Sequence, residues 1–496
     1  MAENQISSKI WNIAGVLRDD GISNQDYLEQ LTFLLFLKMV DESNKPPHNS
    51  NIPLPDGVSW SLLTSKTGAE LADYYKQVLD KLSHTSGMMR EIYQDALNKI
   101  NNPSNLKRVI GLIDNENWSS MAQDVKGEVY ESLLQKVAED TKSGAGQYFT
   151  PRPLIEAIVE CVAPMKGKTI ADPACGSGGF LLAAHDYILG HNELNSDDNK
   201  FLRFNTFFGT ELVRSTYRQC LMNLFLHNIG NIITDDPNYQ PPIKQEDSLM
   251  NAPTQLYDCV LANPPFGSKS SMTVTNQGGG EDREDIDYNR QDFWTETKNK
   301  QFNFVMHIHS MLKVNGEAAV VVPDNVLFEG GAGEIVRKKL LDTCDLHTIL
   351  RLPTGIFYKQ GVQANVIFFK KREAREQPWT KQVWIYDFRT GNHFTLKKNP
   401  LKFGDLQEFI DCYKANDRTK TAQTFDEQNN PEGRFRVYSY DEIIGSDKTN
   451  LDIRWLKTEE DDDSTIEELM SGLQDEAATI NESVQKLNEL LKGTLL

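Results

Sequence analysis

The sequence predicts an α/β protein with a largely parallel central sheet, an all-helical domain ahead of it and a coiled-coil-like helical tail behind it. Three observations carry this expectation. Between about residue 147 and 390, short apolar runs alternate with helical stretches, as strands do when crossover helices join them in parallel. Before about residue 140, apolar residues recur at three- and four-residue spacing with few β-branched runs. After residue 463 the apolar steps settle into a regular alternation of three and four.

The N-terminal helices are read from "YLEQLTFLLFLKMVDE" (27–42) and "LADYYKQVLDKL" (71–82). The first contains the longest apolar stretch, 31–40, which is short and carries Lys38. It falls well below the ~20 residues that span a bilayer, so it reads as a buried helix. "SGAGQ" (143–147) is a flexible junction. The strands are expected in "KTIADPA", "TFFGTEL", "YDCVLANPP", "EAAVVVP", "HTILRLP", "NVIFFKK" and "QVWIYDF". Two polar stretches, 191–200 and 267–300, interrupt them, and a loop as long as the second is usually functional or mobile. Ser464 and Glu467 fit a capping box ahead of Ile466, Leu469, Leu473, Ala477, Ile480, Val484, Leu487 and Leu491, a seam suited to docking on another chain. The expected divisions are 1–140 (helical domain), 141–410 (α/β domain), 411–463 (polar connecting segment) and 464–496 (C-terminal assembly helix).

Bulk composition narrows the classes. The 496 residues suffice for two or three domains. The six cysteines lie far apart with no CxxC pair, which argues against zinc sites or a disulfide framework and suits the cytoplasm. No metal site is expected. The N-terminus lacks the apolar core of a signal peptide. Net charge is −19, unlike the basic footprint of a protein that grips nucleic acid by itself. Residues 452–496 hold twelve acidic against four basic side chains, which accounts for part of that excess.

The chemistry concentrates in four places. "TIADPACGSGGFLLAA" (169–184) has a strand–loop–helix shape whose small residues let backbone approach a ligand, and whose helix N-terminus favours a negative group. The neighbouring "GKT" (167–169) is a decoy: a P-loop needs glycine at 162, which is Val162. Glu211 ends a second strand, where an acid can bond ribose hydroxyls. It lies 39 residues beyond Asp172, against about 20 in a compact dinucleotide fold, and the insertion at 191–200 accounts for the excess. Asp247 in "QEDSL" can accept from an adenine amino group, although a solvated loop acid is the plainer reading. Finally, Asn263-Pro264-Pro265-Phe266 follows the run "YDCVLA". It can be a simple turn. At the carboxyl end of a strand, however, it stands where open α/β sheets bind ligands. There an amide carbonyl and a prolyl carbonyl can accept both hydrogens of an exocyclic amine, and Phe266 can stack on the ring.

These residues resemble the modification (methyltransferase) subunit of type I restriction-modification systems, γ-class N6-adenine DNA methyltransferases. "GQYFTPRPL" (146–154), "DPACGSGGF" (172–180), "GTEL" (209–212), "NPPFG" (263–267) and "LPTGIFYKQGVQANVIFFKK" (352–371) carry the resemblance in order, and it covers the chain from the helical N-terminus to at least residue 371. It implies a Rossmann-like methyltransferase sheet and S-adenosylmethionine as cofactor. Gln147, Tyr148, Phe149, Thr150, Pro151 and Arg152 would surround the methionine part of that cofactor. Asp172, Gly176, Ser177, Gly178 and Gly179 would line its loop, Glu211 would hold the ribose and Asp247 the adenine. Asn263, Pro264, Pro265 and Phe266 would be catalytic on an adenine flipped out of DNA. The resemblance also implies a separate specificity subunit that reads DNA and binds two modification subunits, a restriction subunit that can join them, and no membrane.

The loop 267–300 departs from a basic DNA contact: it is rich in glycine and acid, with Arg283, Arg290 and Trp294 as its plausible contacts. The segment 390–460 is polar and suggests only packing or subunit contact. Three other readings remain open at the level of residues. One is a methyltransferase acting on RNA or a protein glutamine amide. Another is a non-catalytic scaffold binding through 1–140 and 464–496. The third is an NAD-dependent oxidoreductase, which does not explain Asn263-Pro264-Pro265-Phe266.

Overall fold

The computed structural model of the chain describes residues 22, 24–46, 52–116, 118, 150–234, 236, 238–267, 288–357, 363–395 and 399–456, and the backbone of 271–275 and 281–285. The C-terminal helix expected at 464–496 and the residues Gln147, Tyr148 and Phe149 lie outside that set. The chain divides into one large unit, Met1–Arg389 with His393–Asp452, and a small one, Thr390–Asn392 with Ile453–Leu496.

The large unit opens with helices: α1 (Asn24–Ser43), α2 (Trp60–Ser65), α3 (Gly68–Ser83), α4 (Gly87–Tyr93) and α5 (Pro103–Asp114). Helix α1 is apolar on nearly every side, so it is buried on nearly every side; Leu31, Phe33, Leu34, Leu35, Phe36 and Val40 are at most 1% exposed. Its one buried cation, Lys38, is paired with Asp114 at 2.8 Å and Glu42 at 3.1 Å, as an ion in such a place must be. Helices α2 and α5 start where the sequence offers a cap: the side chain of Ser59 accepts from the Leu62 amide, and Asn102 accepts from Ser104 ahead of Pro103. Among the described residues no helix is long and apolar enough to cross a membrane.

The α/β part runs α6 (Arg152–Val162), β1 (Ile170–Asp172), α7 (Gly179–His191), α8 (Ser196–Asn205), β2 (Phe207–Glu211), α9 (Arg214–Leu226), β3 (Ile243–Gln245) and β4 (Tyr257–Ala262). After the short pair β5 (Ser271–Thr275) and β6 (Glu281–Asp285) come α10 (Lys300–Met311), β7 (Leu312–Pro323), α11 (Asn325–Phe328), α12 (Ala332–Thr343), β8 (Cys344–Leu352), β9 (Ala364–Lys371) and β10 (Gln382–Asp387). Helix α13 (Gln407–Tyr413), strand β11 (Phe435–Ser439) and helix α14 (Tyr440–Ile444) follow. Among the described residues, nine strands form one sheet in the order β11-β10-β8-β9-β7-β4-β1-β2-β3. The pairs β1–β2, β1–β4, β2–β3, β4–β7 and β8–β10 are parallel, whereas β9 runs antiparallel between β7 and β8 and β11 runs antiparallel on β10. Strand β1 is the switch point: later strands are added on both sides of it, and the crevice this opens at the carboxyl edge is where such sheets bind ligands.

Every strand expected from an apolar run is present. Three sheet elements were not anticipated. Strand β3 is only three residues long, with two of them exposed. Strand β11 belongs to the polar segment 390–460. The antiparallel pair β5–β6, in register from Ser271 against Asp285 to Thr275 against Glu281, lies inside the supposed loop 267–300. The polar stretch 191–200 is also not a loop throughout. It begins α8, where Asn195 and Asp198 form a reciprocal capping box. That extra helix accounts for the long spacing between Asp172 and Glu211.

Candidate active site

Four segments meet at the carboxyl edge around β1. Asp172 ends that strand 2% exposed, and its Oδ1 accepts from the Ala174 amide at 2.9 Å, which turns the chain into the glycine loop. Burial pushes the Asp172 carboxyl up to about 8; the Ala174 amide opposes the shift and the charge of Glu211 adds to it. Gly176 and Gly178 take φ of 55° and 88°, a region open to glycine. A Cβ on Gly178 would also sit 3.0 Å from the sulfur of Cys220. The loop is pinned from several sides: the amide of Cys175 donates to Thr210 at 3.0 Å, Asn223 Nδ2 donates to the Ser177 carbonyl at 3.0 Å, and the Ser248 hydroxyl donates to the Pro173 carbonyl. Gly178 then caps α7, whose first amides face the crevice edge.

Glu211, at the tip of β2, accepts from the Gly176 amide at 3.1 Å and the Val213 amide at 2.7 Å. Burial raises its pKa, while these amides and the charge of Lys300 oppose the shift. Asp247 follows β3. It accepts from the Leu249 amide at 3.0 Å and from the Tyr288 hydroxyl at 2.9 Å, so the return of the 267–300 segment is tied to this acid. Tyr288, Leu249 and Phe304 form a small apolar cluster against Ala174 and Phe293.

Asn263 follows β4 and is 8% exposed. Its Nδ2 donates to Thr150 Oγ1 at 2.7 Å. Among the described residues its Oδ1 is buried with no hydrogen-bond partner, an acceptor open to a donor from a ligand. Gln301, in the first turn of α10, donates from Nε2 to the Pro265 carbonyl at 3.2 Å. Phe266 meets Phe357 edge to face at 5.6 Å, which joins the motif to the segment after β8. That segment is held by Arg389, whose guanidinium donates to both oxygens of Asp324 (2.7 and 2.6 Å) and to the carbonyls of Leu352 (2.9 Å) and Ala364 (3.1 Å). The ends of β7 and β8 and the start of β9 are thereby locked together at the same edge.

The sequence-predicted residues thus fall into two adjacent groups. Asp172, Gly176, Ser177, Gly178, Gly179, Glu211 and Asp247 surround the glycine loop, while Thr150 and Asn263 are bonded to each other beside Pro264, Pro265 and Phe266. Pro151 caps α6. Arg152 turns instead to α7, pairing with Asp186 at 2.9 Å and with Glu156 at 3.1 Å. Arg290 is corrected as a surface contact. Its side chain is 5% exposed, chelates Asp292 at 3.0 and 2.6 Å, meets His307 Nδ1 at 2.9 Å and lies over the Phe293 ring. Three residues went unnoticed in the sequence: Asn223, Gln301 and Arg389. Gln301 had one local signal, the N-cap Asn299 that bonds its amide.

The profile described as "N-6 DNA Methylase" matches residues 121–463, and that described as "HsdM N-terminal domain" matches residues 6–113. The chain is 36% identical to the type I restriction enzyme StySPI methylase subunit of Salmonella potsdam, across 99% of this chain and 94% of that one. It is 35% identical to the EcoKI methylase subunit of Escherichia coli K12 over the same shares. A solved chain from a study of complex assembly and conformational transition in the type I R-M system superposes with a TM-score of 0.72, at 25% identity and 99% coverage of both chains.

Proposed function

Since the chain belongs to the family of type I restriction-enzyme methylase subunits, adenine-specific DNA methyltransferases that use S-adenosylmethionine, we propose that Asn263, Pro264, Pro265 and Phe266 receive the flipped adenine and that the glycine loop, Glu211 and Asp247 hold the cofactor. The observation that carries the reading is the orphaned Asn263 Oδ1, a buried acceptor fixed by Thr150. Desolvating such an acceptor without a partner costs about 1–3 kcal/mol, and an adenine amino group removes that cost.

The cradle suits the cofactor. Positive φ at Gly176 and Gly178 turns the chain into the start of α7, whose first-turn amides favour a carboxylate. The Asp172 carboxyl lies behind the loop, where a cation stabilises its charged form. Glu211 and Asp247 present acceptors for ribose hydroxyls and an adenine amine, with Thr150 and Pro151 assigned to the methionine end; Arg152, paired with Asp186 and Glu156, braces the segment from α7. Gln147, Tyr148 and Phe149 are assigned there too, from the motif alone.

S-adenosylmethionine supplies, when bound, a methyl group on a sulfonium. The protein's part is positioning and polarisation. Asn263 Oδ1 accepts one N6 hydrogen. The Pro264 carbonyl, next to Asn263, takes the other, while Gln301 fixes the Pro265 carbonyl beside it. Held by these two acceptors, the N6 nitrogen would pyramidalise and turn its lone pair out of the ring toward the methyl group that the cofactor would supply; the sulfur would keep the electron pair of the methyl bond, and the surplus N6 proton would pass by way of the two acceptors to solvent. Phe266 stacks on the base and offsets part of the few kcal/mol that flipping costs. Thr150→Val removes the acceptor that orients the Asn263 amide. Turnover is expected to fall about tenfold, the worth of one hydrogen bond, and Thr150→Ser is expected to restore it.

DNA sequence is read by a separate specificity subunit, which takes two copies of this chain through the 464–496 helix; a restriction subunit can join, and the complex works in the cytoplasm. The net charge of −19 supports this division of labour, because this chain alone offers little positive surface to DNA. The test is transfer of labelled methyl from S-adenosylmethionine to DNA with and without the specificity subunit. N6-methyladenine appearing only with both chains is the expected result. Label with this chain alone removes the dependence, and bound cofactor with no label on DNA in either case moves the substrate to RNA or a protein amide. Truncation after Asp463 is expected to abolish assembly while leaving cofactor affinity intact; unchanged assembly removes the tail from the interface.

A further inference from the structure

A second cavity, of about 520 Å³, lies between the second half of α7, helix α8 and the end of α9. Helix α8 runs from it into the start of β2, so it sits toward the edge of the sheet opposite the cofactor crevice. Its walls carry Arg203, Lys200, His185 and His227.

The guanidinium of Arg203 is half-buried, and burial lowers its pKa. Among the described residues its Nε is buried with no acceptor, and no carboxylate pairs with Arg203 or Lys200. The Phe204 ring lies against the guanidinium, 4.8 Å from its carbon. A charged group held this way lacks the anion that would offset its desolvation.

The two histidines sharpen the choice. Both are more than nine-tenths buried, at 8% and 7% exposed. His227 Nδ1 lies 2.9 Å from the Asn223 carbonyl, and His185 Nδ1 lies 3.1 Å from a carboxylate oxygen of Asp186. Carbonyl and carboxylate only accept, so each Nδ1 carries a proton, and the uncharged form of each ring presents Nε2 to the cavity as an acceptor. The two cations beside these acceptors disfavour a metal ion, while the Nε2 lone pairs disfavour a fully deprotonated anion. They suit an anion that brings its own proton. A phosphate group with a titratable hydroxyl gives negative oxygens to Arg203 and Lys200 and an O–H to Nε2, whereas sulfate and phosphodiesters carry no such proton at neutral pH. The cavity exceeds one phosphate, and Leu189 and Phe204, 45% and 41% exposed, offer an apolar wall to an organic group.

We infer that this cavity is a binding site for a phosphate group bearing a titratable proton, free or as a small phosphomonoester, separate from the cofactor and base sites. Equilibrium dialysis of the full chain against labelled inorganic phosphate at pH 7, with ribose 5-phosphate and sulfate as competitors, tests it. One saturable site is expected, with sulfate at least tenfold weaker and affinity lost at least tenfold in Arg203→Gln. Cofactor affinity, unchanged in that variant, shows that it is folded. Stronger competition by ribose 5-phosphate assigns the site to monoesters and weaker competition to the free ion. Absence of saturable binding, sulfate equal to phosphate, or full affinity in both Arg203→Gln and His227→Gln overturns the inference.

Discussion

Replacing Asn263 by Ala is expected to lower methyl transfer to DNA about a thousandfold, the scale seen when one preorganised polar group is removed from a reacting centre. Cofactor affinity is expected to stay within a factor of two or so, because among the described hydrogen bonds Asn263 reaches the residues assigned to the cofactor only through Thr150, not the glycine loop, Glu211 or Asp247. The loss belongs in kcat, since the amide polarises the acceptor nitrogen as the new bond forms. Asn263→Asp keeps an oxygen acceptor and is expected to retain more turnover than Ala. Single-turnover transfer with saturating DNA and cofactor separates the cases. Normal turnover in Asn263→Ala would remove the amide from the mechanism.

The second large effect concerns Asp172 and runs with pH. Its carboxyl is pushed up to about 8 in the folded chain, against about 3.9 in an unfolded one. The folded state therefore holds a proton that the unfolded state has lost. The stability tied to that proton is complete below about pH 4 and drains away as pH rises through 8. Each tenfold difference in proton affinity between the two states corresponds to about 1.4 kcal/mol, so the whole window is worth up to about 6 kcal/mol. Asp172→Asn does not titrate. In urea unfolding without cofactor, the variant is expected to gain on the natural chain between pH 5 and pH 9. A gap that does not change with pH would refute the assignment. The same carboxyl couples to the cofactor, because a bound cation favours ionised Asp172. Cofactor binding at pH 7 is then expected to release a proton in the natural chain and none in Asp172→Asn, seen by calorimetry in two buffers of different ionisation heat.

The strands of the core were legible because strands in the middle of the sheet are buried on both faces and read as apolar runs, whichever way they run. Val320, Val321, Ile349, Val366 and Ile367 stand out in the sequence for that reason. Asn263 was legible because an amide followed by two prolines at a strand end has little use in packing. What escaped has a common cause: its meaning is supplied by residues far away in the chain. Strand β3 has one buried residue, Ile243, and becomes a strand through β2. Arg290 reads as exposed inside a polar run, yet Leu249, Asp292 and His307 bury its charge from three segments. Gln301 and Arg389 act on carbonyls 36 and 25 to 37 residues away, and a carbonyl leaves no trace in a sequence. The Asn263–Thr150 bond spans 113 residues, so both partners could be named but not their union.

The switch at β1 has a consequence for inheritance. Residues attributed to the cofactor from 172 to 247 belong to one side of the sheet, β1-β2-β3, and those attributed to the target base from 263 onward belong to the other, β4-β7-β9-β8-β10. Each half is one uninterrupted stretch of chain, and they meet along the single strand pair β1–β4. Variation in the second block can accordingly accumulate independently of the first, and a recombination point between Met250 and Tyr257 would exchange one pocket without unpicking the ladder of the other.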